Sequence, residues 1–314
     1  MGNQNGTKNR TWSIVLAGGD GTRLTPLIQR WLGTARPKQY CAFVGTRSMF
    51  QHTLARAEQL ANPDCTVTVI GKSHREFALS QLEHHSSGTV LLQPLNRDTA
   101  PGIFLPLTYI RARDPKATVV IYPSDHFIYP EGPFIDTVEH AIATTSQIPK
   151  HLLLLGIPPD NLELQYGWIR PGETLCNMNG YQIRQVQAFL EKPSLVQAST
   201  ARAAGALWNT FVMAGKVETL WEIGWQFLPK MMTLFERLSR TIGTSKEGAM
   251  LDAIYQDMPV QNFSSDLLQK ATDRMAVIKV SNVLWSDWGH PQRVVSTLRQ
   301  IGKSPAFPTE LVEA

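Results

Sequence analysis

The run IVLAGGDGTRLTPL at 14–27 places Gly18, Gly19 and Gly21 directly after a short apolar stretch, with Thr22 and Arg23 behind them. A tight turn needs one or two glycines. Three of them followed by a cation fit a backbone that lies against an anion. The amides can point at phosphate oxygens with no side chain in the way, and Arg23 can add a forked, charge-assisted contact. Neither familiar phosphate loop matches. A dinucleotide fingerprint wants glycine where Leu24 stands, and a Walker A loop wants Gly-Lys-Ser/Thr where the chain has Gly21-Thr22-Arg23. A plain structural turn is the competing reading of the same residues.

Further charged residues follow other apolar stretches. Arg36 and Lys38 flank a proline in RPKQY; they could grip a phosphate or simply be solvated. Asp125 in YPSDH could hold a divalent cation beside a nucleotide, or could join Ser124 in capping a following helix. Asp287 in LWSDWGH has the same placement, with turn formation as its alternative. Magnesium often takes one or two carboxylates and leaves the remaining positions to phosphates and water, so Asp125 and Asp287 are the candidate pair. The eight histidines form no His-x-x-x-His or Cys/His array and read as exposed or locally bonded. Cys41, Cys65 and Cys176 match neither a zinc site nor a disulfide framework and read as free thiols in a reducing cytosol. Trp208, Trp221, Trp225, Trp285 and Trp288 read as core or pocket wall.

These groups need a frame. Short apolar runs at 13–17, 66–70, 89–92, 118–122 and 152–157 alternate with stretches of helical period at 49–60, 73–84, 100–113 and 133–147. That rhythm predicts an α/β fold, a mostly parallel sheet covered on both faces, with ligands at the carboxyl ends of the strands. From about 158 the rhythm changes: YGWIRPG and YQIRQVQAFLEKP read as an extended pair, helices are expected at 194–203, 216–226, 229–239 and 247–255, and a last strand at 275–280. The expected organisation is a polar, disordered tail over 1–10 and a single domain over 11–314, with a substrate-side lobe over roughly 158–260.

With 43% hydrophobic and 18% charged residues the composition is ordinary globular. A formal net charge of +4 suits an anionic small molecule, and the absence of a Lys/Arg-rich run argues against nucleic acid. No apolar run approaches the ~18 residues of a membrane span, and the first ten residues lack the apolar core of a signal peptide. A cytoplasmic location is therefore expected.

The segments LAGGDGTRLTPL, RPKQY, LNRDTAPG, PSDH, YGWI, FLEKP, WNT and WSDWG occur in that order over 12–290. As a set they make the chain resemble the sugar-1-phosphate nucleotidyltransferases, and within that family the branch of mannose-1-phosphate guanylyltransferases. The resemblance implies a Rossmann-like α/β fold with a mixed, mostly parallel sheet flanked by helices and an inserted sugar-binding lobe. It also implies a magnesium-dependent reaction in which the phosphate of mannose 1-phosphate attacks the α-phosphorus of GTP, giving GDP-mannose and pyrophosphate. Arg23, Lys38 and Asp125 would be catalytic. Gly18, Gly19, Gly21, Thr22, Arg97, Asp98 and Thr99 would bind the nucleotide, and Gly167, Glu191, Lys192 and Asn209 the sugar phosphate. Asp125 and Asp287 would carry Mg²⁺. The partners would be GTP and mannose 1-phosphate, with no nucleic acid and no membrane; a homodimer is compatible with it.

The residue chemistry agrees with that resemblance. Two polyanions that react through a substrate's own phosphate oxygen need alignment and charge neutralisation, not a covalent enzyme nucleophile. Against the family pattern, Gln93 stands where an acid is common and Asp98 where Asn is common. Thr210 and Phe211 follow WN where a small Ser-Gly pair is usual, so the alternatives are a nucleotidyltransferase for another sugar 1-phosphate or nucleoside triphosphate, or a non-catalytic nucleotide-sugar-binding regulatory homologue. A chain ending soon after WSDWG is expected to lack the isomerase part of bifunctional relatives.

Overall fold

The computed structural model describes residues 10–82 and 88–313. Residues 1–9 of the expected tail, and His84 and His85, lie outside the described residues; Arg10 already accepts a backbone hydrogen bond from Thr118. In chain order the first half comprises β1 (Thr11–Ala17), α1 (Thr25–Leu32), α2 (Met49–Leu60), β2 (Thr66–Gly71), α3 (Arg75–Leu82), β3 (Thr89–Gln93), α4 (Thr99–Arg113), β4 (Thr118–Pro123), β5 (Phe127–Tyr129), α5 (Glu131–Thr144) and β6 (Leu152–Ile157). The second half adds β7 (Gly167–Met178), β8 (Tyr181–Glu191), α6 (Leu195–Ala203), β9 (Leu207–Lys216), α7 (Val217–Phe227), α8 (Pro229–Ser239), α9 (Glu247–Asp257), β10 (Met275–Lys279), β11 (Leu284–Ser286) and α10 (Pro291–Gln300).

Nine strands form one sheet in the order β3-β2-β1-β4-β9-β6-β10-β8-β7. Tracing the pairings along it, β8 and β9 run against the other seven of the nine strands. The mixed, mostly parallel α/β sheet flanked by helices is thus the one the sequence implied. The stretch 158–260 contributes three strands, β7, β8 and β9, to the same sheet. β9 inserts antiparallel between β4 and β6.

Both faces are buried because strand residues alternate. In β1, Trp12 and Ile14 enter the core beneath α4, α7 and α8, whereas Val15 and Ala17 enter the core beneath α2 and α5. α4 is buried continuously from Ala100 to Ile110, as befits a helix with no polar face. A third cluster joins α1, Phe43, Trp288 and α10 and packs α10 against the glycine-loop end of the sheet. A two-stranded antiparallel ribbon of β5 and β11 pairs Phe127 with Ser286 and Ile128 with Trp285. This ribbon begins two residues after Asp125 and ends one residue before Asp287, so it ties together segments about 160 positions apart in the chain.

Candidate active site

The glycine segment leaves the carboxyl end of β1, and its neighbours brace it through its carbonyls. Gln39 donates from Nε2 to the carbonyls of Ala17 (3.0 Å) and Gly19 (2.8 Å), and the Tyr40 hydroxyl donates to Ala17 (2.9 Å). Asp20 is held by His74 at 3.2 Å and by Asn96 at 3.2 Å. Gly21 has φ +57°, a conformation that glycine adopts at no cost, and a Cβ there would lie 3.0 Å from the Lys38 side chain. A Cβ on Gly18 would press on Gln93 at 3.3 Å. Thr22 and Arg23 form a short 3₁₀ turn that feeds into α1. The RPKQY segment is therefore a bracket for the glycine turn. Within it, Arg36 lies over the Phe77 ring and only Lys38 turns toward the acidic residues.

Lys38 is the hinge of the site. It is buried, and its Nζ lies 3.0 Å from Asp125 Oδ2 while also donating to the backbone carbonyl of Asp287. Asp125 follows the carboxyl end of β4. The Ser124 hydroxyl beside it donates 2.7 Å to Leu16, fastening β4 to β1. Neither Ser124 nor Asp125 caps a helix; β5 follows them, and α5 begins only at Glu131 after Pro130. Asp287 is more fully committed. Its Oδ1 accepts from Arg293 (2.6 Å), the Gly289 amide (2.8 Å) and the Tyr166 hydroxyl (2.9 Å), and its Oδ2 from Arg23 (3.1 Å). The Gly289 contact is the expected turn, so the turn and the cleft-facing carboxylate coexist in one residue.

Burial alone would push both carboxyls up. For Asp125, Lys38 and His126 outweigh it, and for Asp287, Lys38, His126 and Arg293 do, so both are held below the usual carboxylate range. Burial in turn pushes His126 below an ordinary histidine, against the pull of Asp125.

A cavity of about 350 Å³ opens over these groups. Of the nucleotide-side residues expected from the sequence, Gly19, Arg23 and Thr99 line it, together with Asp125 and Asp287. Gly18, Gly21, Thr22 and Lys38 are not part of that lining. Arg97 is directed elsewhere: its guanidinium donates to the carbonyls of Tyr255 (3.2 Å) and Gln256 (3.3 Å) at the end of α9. Asp98 sits at φ +69°, strained for a residue with a side chain, and accepts from the Thr99 amide (2.6 Å) and from Asn262 Nδ2 (3.1 Å).

On the opposite wall Gly167, Glu191 and Asn209 line the cavity. A Cβ at Gly167 would meet Phe189 at 2.9 Å and Glu191 at 3.2 Å, so glycine is required there by crowding. Burial raises the Glu191 carboxyl, partly opposed by Lys192. Lys192 itself adopts φ +46°, donates its amide to the Tyr166 carbonyl and is not part of the lining. Among the described residues, four of the six non-glycine residues with positive φ, Asp98, Lys192, Phe211 and Trp288, belong to the segments that form this cleft.

Several contributors were not singled out as site residues from the sequence. His126 lines the cleft, with Nε2 3.6 Å from Asp125 Oδ1 and Nδ1 3.1 Å from the Thr210 carbonyl. It is the last residue of YPSDH, so its place next to Asp125 in the sequence is an available signal. Gln39, Tyr166, Asn262 and Ser264 also line or brace the cleft. Arg293 and Glu163 carry no local motif that announces them.

Among the described residues no group of three or more His, Cys, Asp and Glu could hold a metal ion. A protein-only metal centre therefore does not fit. An ion held by one or two carboxylates and completed by phosphate oxygens and water does fit the donor set of Asp125 and Asp287.

The model of the Nucleotidyl transferase family matches residues 12–303, and the chain belongs to this family. It is 27% identical over 296 residues to an Escherichia coli mannose-1-phosphate guanylyltransferase, covering 92% of this chain and 61% of that protein. It is 28% identical over 311 residues to the xanthan biosynthesis protein XanB of Xanthomonas campestris pv. campestris, 96% of this chain and 62% of the relative. The chain thus spans about three fifths of the length of these curated relatives. A solved structure from Thermus thermophilus, named mannose-1-phosphate geranyltransferase, shares the fold with a TM-score of 0.78 at 24% identity, over 92% of this chain and 79% of that one. No helix among the described residues is long and apolar enough to cross a membrane.

Proposed function

We propose that this chain transfers a guanylyl group from GTP to mannose 1-phosphate, with Mg²⁺ as cofactor, giving GDP-mannose and pyrophosphate. The observation that carries the reading is the meeting of the glycine turn, Arg23, Lys38, Asp125 and Asp287 around one cleft. Both reactants are polyanions, so the cost to be offset is electrostatic repulsion and alignment. An oxygen of the sugar phosphate attacks the α-phosphorus, the bond from that phosphorus to the bridging oxygen breaks, and pyrophosphate leaves with the electron pair. No enzyme nucleophile is needed.

In this reading the amides of the Gly18–Gly21 turn and Arg23 receive the triphosphate. Lys38 faces the charge that develops on the transferring phosphoryl oxygens. Asp125 and Asp287 would hold Mg²⁺, which would supply charge neutralisation at the reacting phosphates. Gly167, Glu191, Lys192 and Asn209 would frame the sugar phosphate. The names of the curated relatives support mannose 1-phosphate and a guanylyl donor. Asp98 and Phe211 favour a second reading, the same transfer with another base or sugar. The Asp98 carboxylate caps the entrance to α4, and Phe211, at φ +59°, lines the cleft.

The test is to incubate the protein with Mg²⁺, each nucleoside triphosphate in turn and a panel of sugar 1-phosphates. Pyrophosphate release and product mass are followed together. Turnover with GTP and mannose 1-phosphate is expected. Turnover confined to another pair selects the second reading, and binding without pyrophosphate release refutes both.

A further inference from the structure

Asp287 is held in a way that distinguishes its two oxygens. Oδ1 takes three donors, from Arg293 at 2.6 Å, the Gly289 amide at 2.8 Å and the Tyr166 hydroxyl at 2.9 Å, while Oδ2 takes only Arg23 at 3.1 Å. A carboxylate oxygen offers about two lone-pair directions, so Oδ1 is saturated and Oδ2 is the free corner. The two arginines differ in permanence. The Arg23 side chain is 55% exposed, whereas that of Arg293 is 16% exposed. Arg293 is locked from three sides. Its Nη2 is paired with Glu163, its Nη1 also donates 2.7 Å to the Tyr166 hydroxyl, and its guanidinium lies 5.0 Å over the Tyr166 ring. Glu163 is nearly as buried, with a side chain 14% exposed.

The four residues come from three separate parts of the fold. Arg293 is in the first turn of α10, Asp287 follows β11, and Glu163 and Tyr166 precede β7, next to the cleft residues Gln165 and Gly167. A single planar fork therefore connects the carboxylate to the segment that opens the opposite wall.

We propose that Arg293 is the positioning residue of Asp287: with Glu163 and Tyr166 it fixes the carboxylate so that Oδ2 alone is presented to the ion and phosphates in the cleft. This inference rests on the proposed metal-dependent transfer. Arg293 does not touch the reacting groups, and its effect passes through Asp287. A lysine at this position could not serve both Asp287 and Glu163, because one ammonium has no fork.

The test is Mn²⁺ binding to the full chain, read by electron paramagnetic resonance, alongside steady-state kinetics for wild type, Arg293→Met, Glu163→Gln and Asp287→Asn. Arg293→Met is expected to weaken Mn²⁺ about tenfold, the usual scale for losing an outer partner of a metal ligand. In kinetics it is expected to lower kcat by a similar factor, with KM for both substrates within about twofold. Glu163→Gln is expected to shift Mn²⁺ affinity in the same direction by less, and it covers the case in which Arg293→Met fails to fold. Adding Arg293→Met to Asp287→Asn is expected to cost no further Mn²⁺ affinity. Unchanged Mn²⁺ affinity in both single variants, with only a lower Tm, would overturn the proposal, as would full additivity with Asp287→Asn. If wild type binds Mn²⁺ through Asp287 yet turns over no substrate pair, the functional reading fails, while the binding series still decides the role of Arg293.

Discussion

Replacing Lys38 with Met separates charge binding from catalysis. The ammonium lies 3.0 Å from Asp125 Oδ2 and also donates to the Asp287 carbonyl. Two unit charges at that distance attract by about 1.4 kcal/mol with the dielectric constant of water and about 5.5 kcal/mol with an effective constant of ~20. The Lys38 side chain is only 6% exposed, but that of Asp125 is 34% exposed, and this access to water places the pair toward the weaker limit. A stability loss of about 1–2 kcal/mol is expected, or roughly 1.5–3 °C in Tm for a chain of this size. The same change removes a positive charge from between two acidic residues. Mg²⁺ should then bind more tightly, by about tenfold if ~1.4 kcal/mol of repulsion is relieved. Turnover should nevertheless fall by about 100–1000-fold, since a donor aimed at developing charge is lost. The assay is pyrophosphate release as a function of Mg²⁺, with a thermal melt on the same sample. A Lys38→Met enzyme with kcat within about threefold of wild type and only a raised KM would refute the assignment of Lys38 to the transition state.

Asp125→Asn and Asp287→Asn are each expected to keep the fold, by circular dichroism, and to lose metal-dependent turnover; near-normal rates in both would remove the metal assignment. Gly289→Ala places a Cβ 2.7 Å from Asp287 Oδ2 and 2.7 Å from Arg23 Nη1. A displacement on that scale at the cleft is expected to cost turnover on the order of 10–100-fold, with little change in Tm. His52, at the mouth of α2 beside Glu131, is held below the ordinary histidine value of 6.5, chiefly by burial. The unfolded chain therefore takes up that proton first as pH falls, and the contribution of His52 to stability is present above 6.5 and declines below it. His52→Gln should flatten the stability profile between neutral and mildly acidic pH in denaturant titrations; an unchanged slope would contradict this.

Much of the frame could be read from residue order because local rules and burial agreed. The expected helix at 229–239 coincides with α8, and Ser48 with Gln51 and Ser194 with Gln197 form capping boxes that start α2 and α6. β9 escaped notice because LWNTFVMAGK is buried on both faces, so it has no polar alternation and merges into the helix that follows. The β5–β11 ribbon escaped because three-residue strands carry no period, yet it joins the two acidic segments. Asp125 and Asp287 were legible through their place after apolar stretches. Arg97 belonged to a recognised segment, but the nearest unsatisfied carbonyls, at the end of α9, claim its guanidinium. Arg293 and Glu163 became visible only when α10 and the approach to β7 were seen to meet at Asp287, a contact set by the third core cluster rather than by any spacing in the chain.

The proposed transfer is a direct displacement at the α-phosphorus in the cleft between Lys38 and Asp287. It is tested by following transfer from the Sp isomer of guanosine 5′-O-(1-thiotriphosphate) to mannose 1-phosphate. A single in-line step inverts the configuration at that phosphorus in the product. Retention would contradict the account, since it requires an enzyme-bound guanylyl group for which the cleft provides no assigned nucleophile.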